Sequence, residues 1–72
     1  PVGSIVKLAS KRIAMIVGFN SDDLLTPVCK ILVNANNTVN RERETVSLAE
    51  TDDFIEDTNP DIRLKVKLQD VL

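Results

Sequence analysis

Ser4-Ile5-Val6-Lys7-Leu8, Ala9-Ser10-Lys11 and Arg12-Ile13-Ala14-Met15-Ile16-Val17-Gly18-Phe19 decide the fold. Two apolar runs rich in β-branched residues flank a short polar break, which is the pattern of a β-hairpin. Gly3 leads into the first run, and Gly18 near the end of the second marks a bulge or a close backbone approach. Beyond it, Asn20-Ser21-Asp22-Asp23 forms a turn cluster and Leu24-Leu25-Thr26 continues the loop. Pro27 biases Thr26 toward extended backbone, and Val28-Cys29-Lys30-Ile31-Leu32-Val33 reads as a third strand. Asn34-Ala35-Asn36-Asn37 is a turn, because Asn tolerates left-handed φ better than other non-glycine residues.

The second half is less regular. Residues 38–44 are polar and show no period, whereas Thr45-Val46-Ser47-Leu48 alternates and suggests a short fourth strand. Phe54-Ile55 is a small apolar anchor inside an acidic stretch, and Asn59-Pro60-Asp61 is another turn. Ile62, Leu64, Val66 and Leu68 alternate with Arg63, Lys65 and Lys67, so a fifth strand is expected over 62–68. Leu68, Val71 and Leu72 would also suit a terminal helical turn. Five short strands divided by polar turns give a mainly β fold, a small antiparallel SH3-like barrel or curled sheet.

At 72 residues the chain is one small domain, with a modest core in which every large apolar residue counts. It has two Phe and neither Trp nor Tyr, so aliphatic side chains must build that core. The net charge of −2 hides an uneven distribution: residues 1–33 balance to +2, 34–61 to −6 and 62–72 to +2. A nucleic-acid module needs a basic face or aromatic stacking platforms, and this chain offers neither, which excludes nucleic acid as an expected partner. No apolar run reaches the roughly 18 residues that cross a bilayer, so no membrane insertion by this segment is expected. The opening Pro1-Val2-Gly3-Ser4 suggests a segment cut from the C-terminal end of a longer polypeptide.

Chemistry is scarce. The chain has no His, which removes the usual base for a serine or cysteine nucleophile and the commonest ligand for a catalytic metal. Cys29 stands alone, so it can form neither an internal disulfide nor a cysteine cluster. It reads as a small strand residue, consistent with a reducing cytosol. Asp22-Asp23 and Asp52-Asp53 are adjacent carboxylates, but neighbours in extended chain point apart, so both pairs read as solvated loop charge. Lys7, Lys11 and Arg12, and the run Arg41-Glu42-Arg43-Glu44, read as exposed hairpin and loop charges, with an anion site as the sharper reading. No catalytic, cofactor-binding or metal-binding residue is therefore assigned. Phe54, Ile55, Val71 and Leu72 are the candidate interface residues; closure of the barrel's open end is the plainer role for them.

Several segments in order resemble the small domain that follows the catalytic core of HD-GYP proteins, bacterial metal-dependent phosphohydrolases. Pro1-Val2-Gly3-Ser4-Ile5-Val6-Lys7-Leu8 is similar to the opening of that region, and Arg12-Ile13-Ala14-Met15-Ile16-Val17 to its second strand. Asp23-Leu24-Leu25-Thr26-Pro27-Val28-Cys29-Lys30-Ile31 resembles the pattern that follows. Val46-Ser47-Leu48-Ala49, Phe54-Ile55 and Asn59-Pro60 resemble later landmarks. Two departures stand out: the turn before Arg12 carries Ser10-Lys11 in place of Gly, and strand three has Ile31-Leu32 in place of an aromatic. The resemblance implies a cytoplasmic bacterial signalling parent that binds iron or manganese and hydrolyses cyclic di-GMP, with its motif residues outside this chain. It leaves this segment a structural role: packing on the catalytic core of its own parent chain, tuning a homodimer, or contacting a partner. The alternatives are an unrelated SH3-like interaction or ligand-binding barrel, and a small subunit whose active site another chain completes. Cyclic di-GMP binding of the PilZ type would need Asp or Asn at 45 and Gly at 50 around Ser47, where Thr45 and Glu50 stand.

Overall fold

A computed structural model describes residues 1–22 and 26–61. Asp23, Leu24 and Leu25 of the loop, the strand expected over 62–68, and the candidate interface residues Val71 and Leu72 lie outside the described residues.

Among the described residues one antiparallel sheet carries five strands: β1 (Ile5–Leu8), β2 (Ile13–Phe19), β3 (Pro27–Val33), β4 (Thr45–Ser47) and β5 (Ile55–Asp57). Their order across the sheet is β4-β3-β2-β1-β5, so β4 and β5 form opposite edges and do not pair. Of the barrel and the curled sheet expected, the described residues form an open sheet, with no pairing among them that closes it into a barrel. The strand that lies beside β1 is Ile55–Asp57, from the stretch read as an isolated anchor. Leu48, expected at the end of the fourth strand, instead begins a single 3₁₀ turn over Leu48–Glu50.

The hairpin at the centre explains its own geometry. Lys11 N–H donates to the Leu8 carbonyl at 2.8 Å and Leu8 N–H to the Arg12 carbonyl at 2.8 Å, closing a three-residue loop. Such loops end on a residue in the left-handed region, where glycine is favoured, and Lys11 occupies it at φ 77°. The Asn turn repeats the same pattern. Asn37 N–H donates to the Asn34 carbonyl at 3.0 Å, Asn34 N–H donates to the Thr38 carbonyl at 2.8 Å, and Asn37 has φ 68°. Beyond that turn the unpatterned chain runs back along β3, through Asn40 N–H to the Leu32 carbonyl and Ile31 N–H to the Glu44 carbonyl, both at 2.9 Å.

Two bulges bend β2 against β3, one between Ile13 and Ala14 and one between Ile16 and Gly18. The second fulfils the bulge expected at Gly18; nothing lies within 4 Å of where a Cβ would sit there, so the close-approach alternative does not apply. Alternation along the strands divides the apolar side chains between two aliphatic clusters. Val6, Leu8, Ala14, Ile16, Cys29, Ile31 and Leu48 form the larger one, with Val46 and Ile55 packed at its margin. Ile13, Leu32 and Val33 form the smaller, joined by Ile5, Met15 and Val39. Burial of a Leu or Ile side chain contributes about 1.5–3 kcal/mol, so these clusters hold the fold.

Candidate functional site

The sequence draws attention to Phe54 and Ile55, and the structure separates them. Ile55 enters β5 opposite Leu8 and packs against the larger cluster. Phe54, one residue earlier, leaves 60% of its surface exposed, the largest exposure of any Phe here. Phe54 thus stands largely exposed, whereas Ile55 packs at the margin of the larger cluster. With Thr26, Pro27, Leu48, Ala49, Asp53 and Ile55, the ring borders an open groove of about 280 Å³. The groove is of mixed polarity, with Pro27, Leu48, Ala49, Phe54 and Ile55 as its apolar part.

The position of Phe54 is set by the residue before it. Asp53 Oδ1 accepts from Ser10 N–H and from Phe54 N–H, each at 3.0 Å. Asp53 Oδ2 accepts from the Ser10 hydroxyl at 2.6 Å and from Arg12 Nη2 at 3.2 Å. The Phe54 carbonyl in turn accepts from Ala9 N–H at 2.8 Å. The tip of the β1–β2 hairpin is thereby clamped to the chain that enters β5. Lys11 Nζ adds an ion pair to Glu56 at 2.9 Å, between two exposed groups.

Asp53 is thus no solvated loop carboxylate; its side chain is only 8% exposed. Burial raises its carboxyl, but the Ser10 hydroxyl, Ser10 N–H, Arg12 and Phe54 N–H outweigh that and hold it below the ordinary carboxylate range. Lys11 and Arg12 are likewise committed within the fold rather than presented as an anion site. The signal that could have found the clamp is Ser10 with Arg12 on the hairpin tip, but nothing in the sequence says which of the eight carboxylates of 34–61 meets them.

Cys29 is fully buried in β3. Burial, and then the Asp53 charge, push its thiol up, the reverse of what an activated nucleophile needs. A second, polar groove of about 360 Å³ is lined by Asn34, Val39, Asn40, Arg41, Glu42 and Glu44. Its one buried polar residue, Asn40, spends its amide internally: Nδ2 donates to Asn34 Oδ1 at 2.9 Å and Glu44 Oε1 at 3.1 Å, and Oδ1 accepts from Arg43 N–H at 2.8 Å. Among the described residues no three His, Cys, Asp or Glu side chains are grouped to hold a metal ion. No helix among the described residues is long and apolar enough to cross a membrane.

Comparison with protein-family models, curated proteins and solved structures returned no match to this chain.

Proposed function

We propose that this chain is a non-catalytic interaction module that docks through the surface around Phe54. One observation carries the reading: a side chain 60% exposed beside a groove, with its carbonyl bonded to Ala9 N–H of the hairpin and its N–H to the clamped Asp53 carboxylate. A large aromatic left in water without a stabilising role in the fold, on a rigid mount, is the kind of residue that anchors an interface. The exposed carboxylates of Glu50 and Asp52, close to it in sequence, would set which partner charges are accepted.

The partner we propose is the catalytic core of the same polypeptide, with this chain as the accessory β-domain of an HD-GYP-type phosphohydrolase acting on cyclic di-GMP. That part rests on the ordered motifs from Pro1-Val2-Gly3-Ser4 to Asn59-Pro60 and on nothing else. Any iron or manganese then belongs to the parent's own motifs, since this chain has no His to offer. The same surface could meet a second subunit across a homodimer of the parent.

The two parts are tested separately. A His-Asp pair and a Gly-Tyr-Pro motif encoded immediately upstream are expected; their absence sinks the family assignment and leaves the docking role standing. Phe54→Ala in the longer protein is expected to weaken docking of this domain by about 2 kcal/mol, some thirtyfold, as loss of an interface anchor does. Unchanged docking would overturn the role assigned to Phe54.

A further inference from the structure

The groove beside Phe54 has a second aromatic flank. Phe19 leaves 39% of its surface exposed, and it and Phe54 are the chain's two aromatic residues. Pairing places it. Phe19 stands opposite Pro27 in the β2–β3 ladder, and residues directly opposite in an antiparallel pair project from the same face. Pro27 is two positions from Cys29, so that face is the one carrying the larger cluster, and Pro27 itself lines the groove. The depression thus has Phe54 in its lining and Phe19 beside its Pro27 wall. At about 280 Å³ it falls below the roughly 300–1,000 Å³ of small-molecule pockets, so it suits side chains of a partner rather than a cofactor.

Its surroundings are one-signed. Glu50 and Asp52 are exposed and adjoin the lining residues Ala49 and Asp53 in the chain. Asp53 spends its carboxylate on Ser10 and Arg12, whereas Glu50 and Asp52 carry no ion pair among the described residues. No Lys or Arg occurs from Glu44 to Asp61, and Lys30 of β3 alternates onto the face opposite Cys29. We propose that the groove receives a basic segment of its partner, an apolar side chain seated in the depression with Arg or Lys on either side of it. The inference rests on the docking role of Phe54 and adds the partner's chemistry. The basic groups meet Glu50 and Asp52, and a guanidinium gains further by lying over an exposed Phe ring. The same carboxylates turn away nucleic acid and anionic lipid. Two copies of the groove face to face would set Glu50 and Asp52 against themselves, so the groove does not match its own copy.

Nuclear magnetic resonance titration of the isotope-labelled 72-residue chain with two synthetic peptides tests it. One peptide is Arg-Arg-Leu-Ala-Leu-Arg-Arg, and the other carries Glu in place of every Arg. The basic peptide should shift the amide signals of Ala49, Phe54 and Ile55, and bind at least about tenfold more weakly in concentrated salt. The acidic peptide should leave those signals in place. Glu50→Lys combined with Asp52→Lys, both at exposed positions, should weaken the basic peptide at least about tenfold, and Phe19→Ala at least about threefold. Equal binding of the two peptides, no binding of the basic one at about millimolar concentration, shifts confined to residues outside the groove, or an unchanged affinity in the Glu50/Asp52 variant would each overturn the proposal. Unchanged affinity in Phe19→Ala would remove the second flank. The underlying docking role fails on a different result, docking in the longer protein that Phe54→Ala leaves intact. Should Phe19→Ala unfold the domain, the Glu50/Asp52 variant and the peptide pair decide.

Discussion

Replacing Asp53 with Ala removes the acceptor of four hydrogen bonds at once, from Ser10 N–H, the Ser10 hydroxyl, Arg12 and Phe54 N–H. A hydrogen bond to a charged group contributes about 1.5–3 kcal/mol in a protected site, and about 1 kcal/mol or less where water competes. Ser10 and Phe54 are exposed, so the lower figure applies to most of the set, and a loss of about 2–3 kcal/mol is expected. A domain of this length holds roughly 4–11 kcal/mol in all. At about 4–8 °C per kcal/mol, the melting temperature should fall by roughly 10–20 °C at pH 7. Circular dichroism melts of Asp53→Ala and of Asp52→Ala make the comparison, because both remove one negative charge. Asp52 is exposed, and its loss should change stability by no more than about 0.5 kcal/mol. The pH dependence follows from the direction of the shift. The folded carboxyl lies below its unfolded value of about 3.9, so its contribution is complete above that value and disappears as pH falls through the lower folded one. The unsubstituted chain should therefore lose an increment in acid that Asp53→Ala never had. Equal melting temperatures for the two variants at pH 7 would refute the clamp.

Three further outcomes are expected. Leu8→Ala, at a fully buried position in the larger cluster, should cost about 3 kcal/mol by urea titration, and a cost under 1 kcal/mol would show the core misplaced. Lys11→Gly relieves a left-handed backbone that costs a lysine about 1 kcal/mol and sacrifices an exposed ion pair of less than that, so the melting temperature should hold or rise slightly. Cys29 should react with a thiol reagent only as fast as the domain opens, tracking denaturant; rapid labelling of the folded chain would contradict its burial.

The parts of the fold written in local pattern were legible from the sequence. β1, β2, β3 and both three-residue turns follow from apolar runs, Gly18 and the Asn cluster. The turn before Arg12 is instructive: Ser10-Lys11 stands where glycine is usual, and the loop keeps the glycine conformation at Lys11 all the same. β5 was hidden because three residues, one of them apolar, carry no period, and only pairing with Lys7 and Leu8 makes them a strand. The openness of the sheet was equally invisible, since strand number alone does not decide whether the edges meet. At the candidate site, Phe54 and Ile55 stood out as apolar residues in an acidic stretch, but their division into one exposed and one half-buried residue depends on where β5 begins and what it packs against. Asp53 looked like any loop carboxylate; the hairpin tip that surrounds it lies more than forty positions earlier in the chain.

The docking role turns on whether Phe54 belongs to the surface or to the core, and one pair of melts reads this directly. Phe54→Ala and Leu8→Ala are compared in the same 72-residue chain by circular dichroism. Phe54→Ala should keep the melting temperature within about 4 °C of the parent, while Leu8→Ala lowers it by more than about 12 °C. A fall for Phe54→Ala as large as that for Leu8→Ala would place the ring in the core and leave the proposed interface without its anchor.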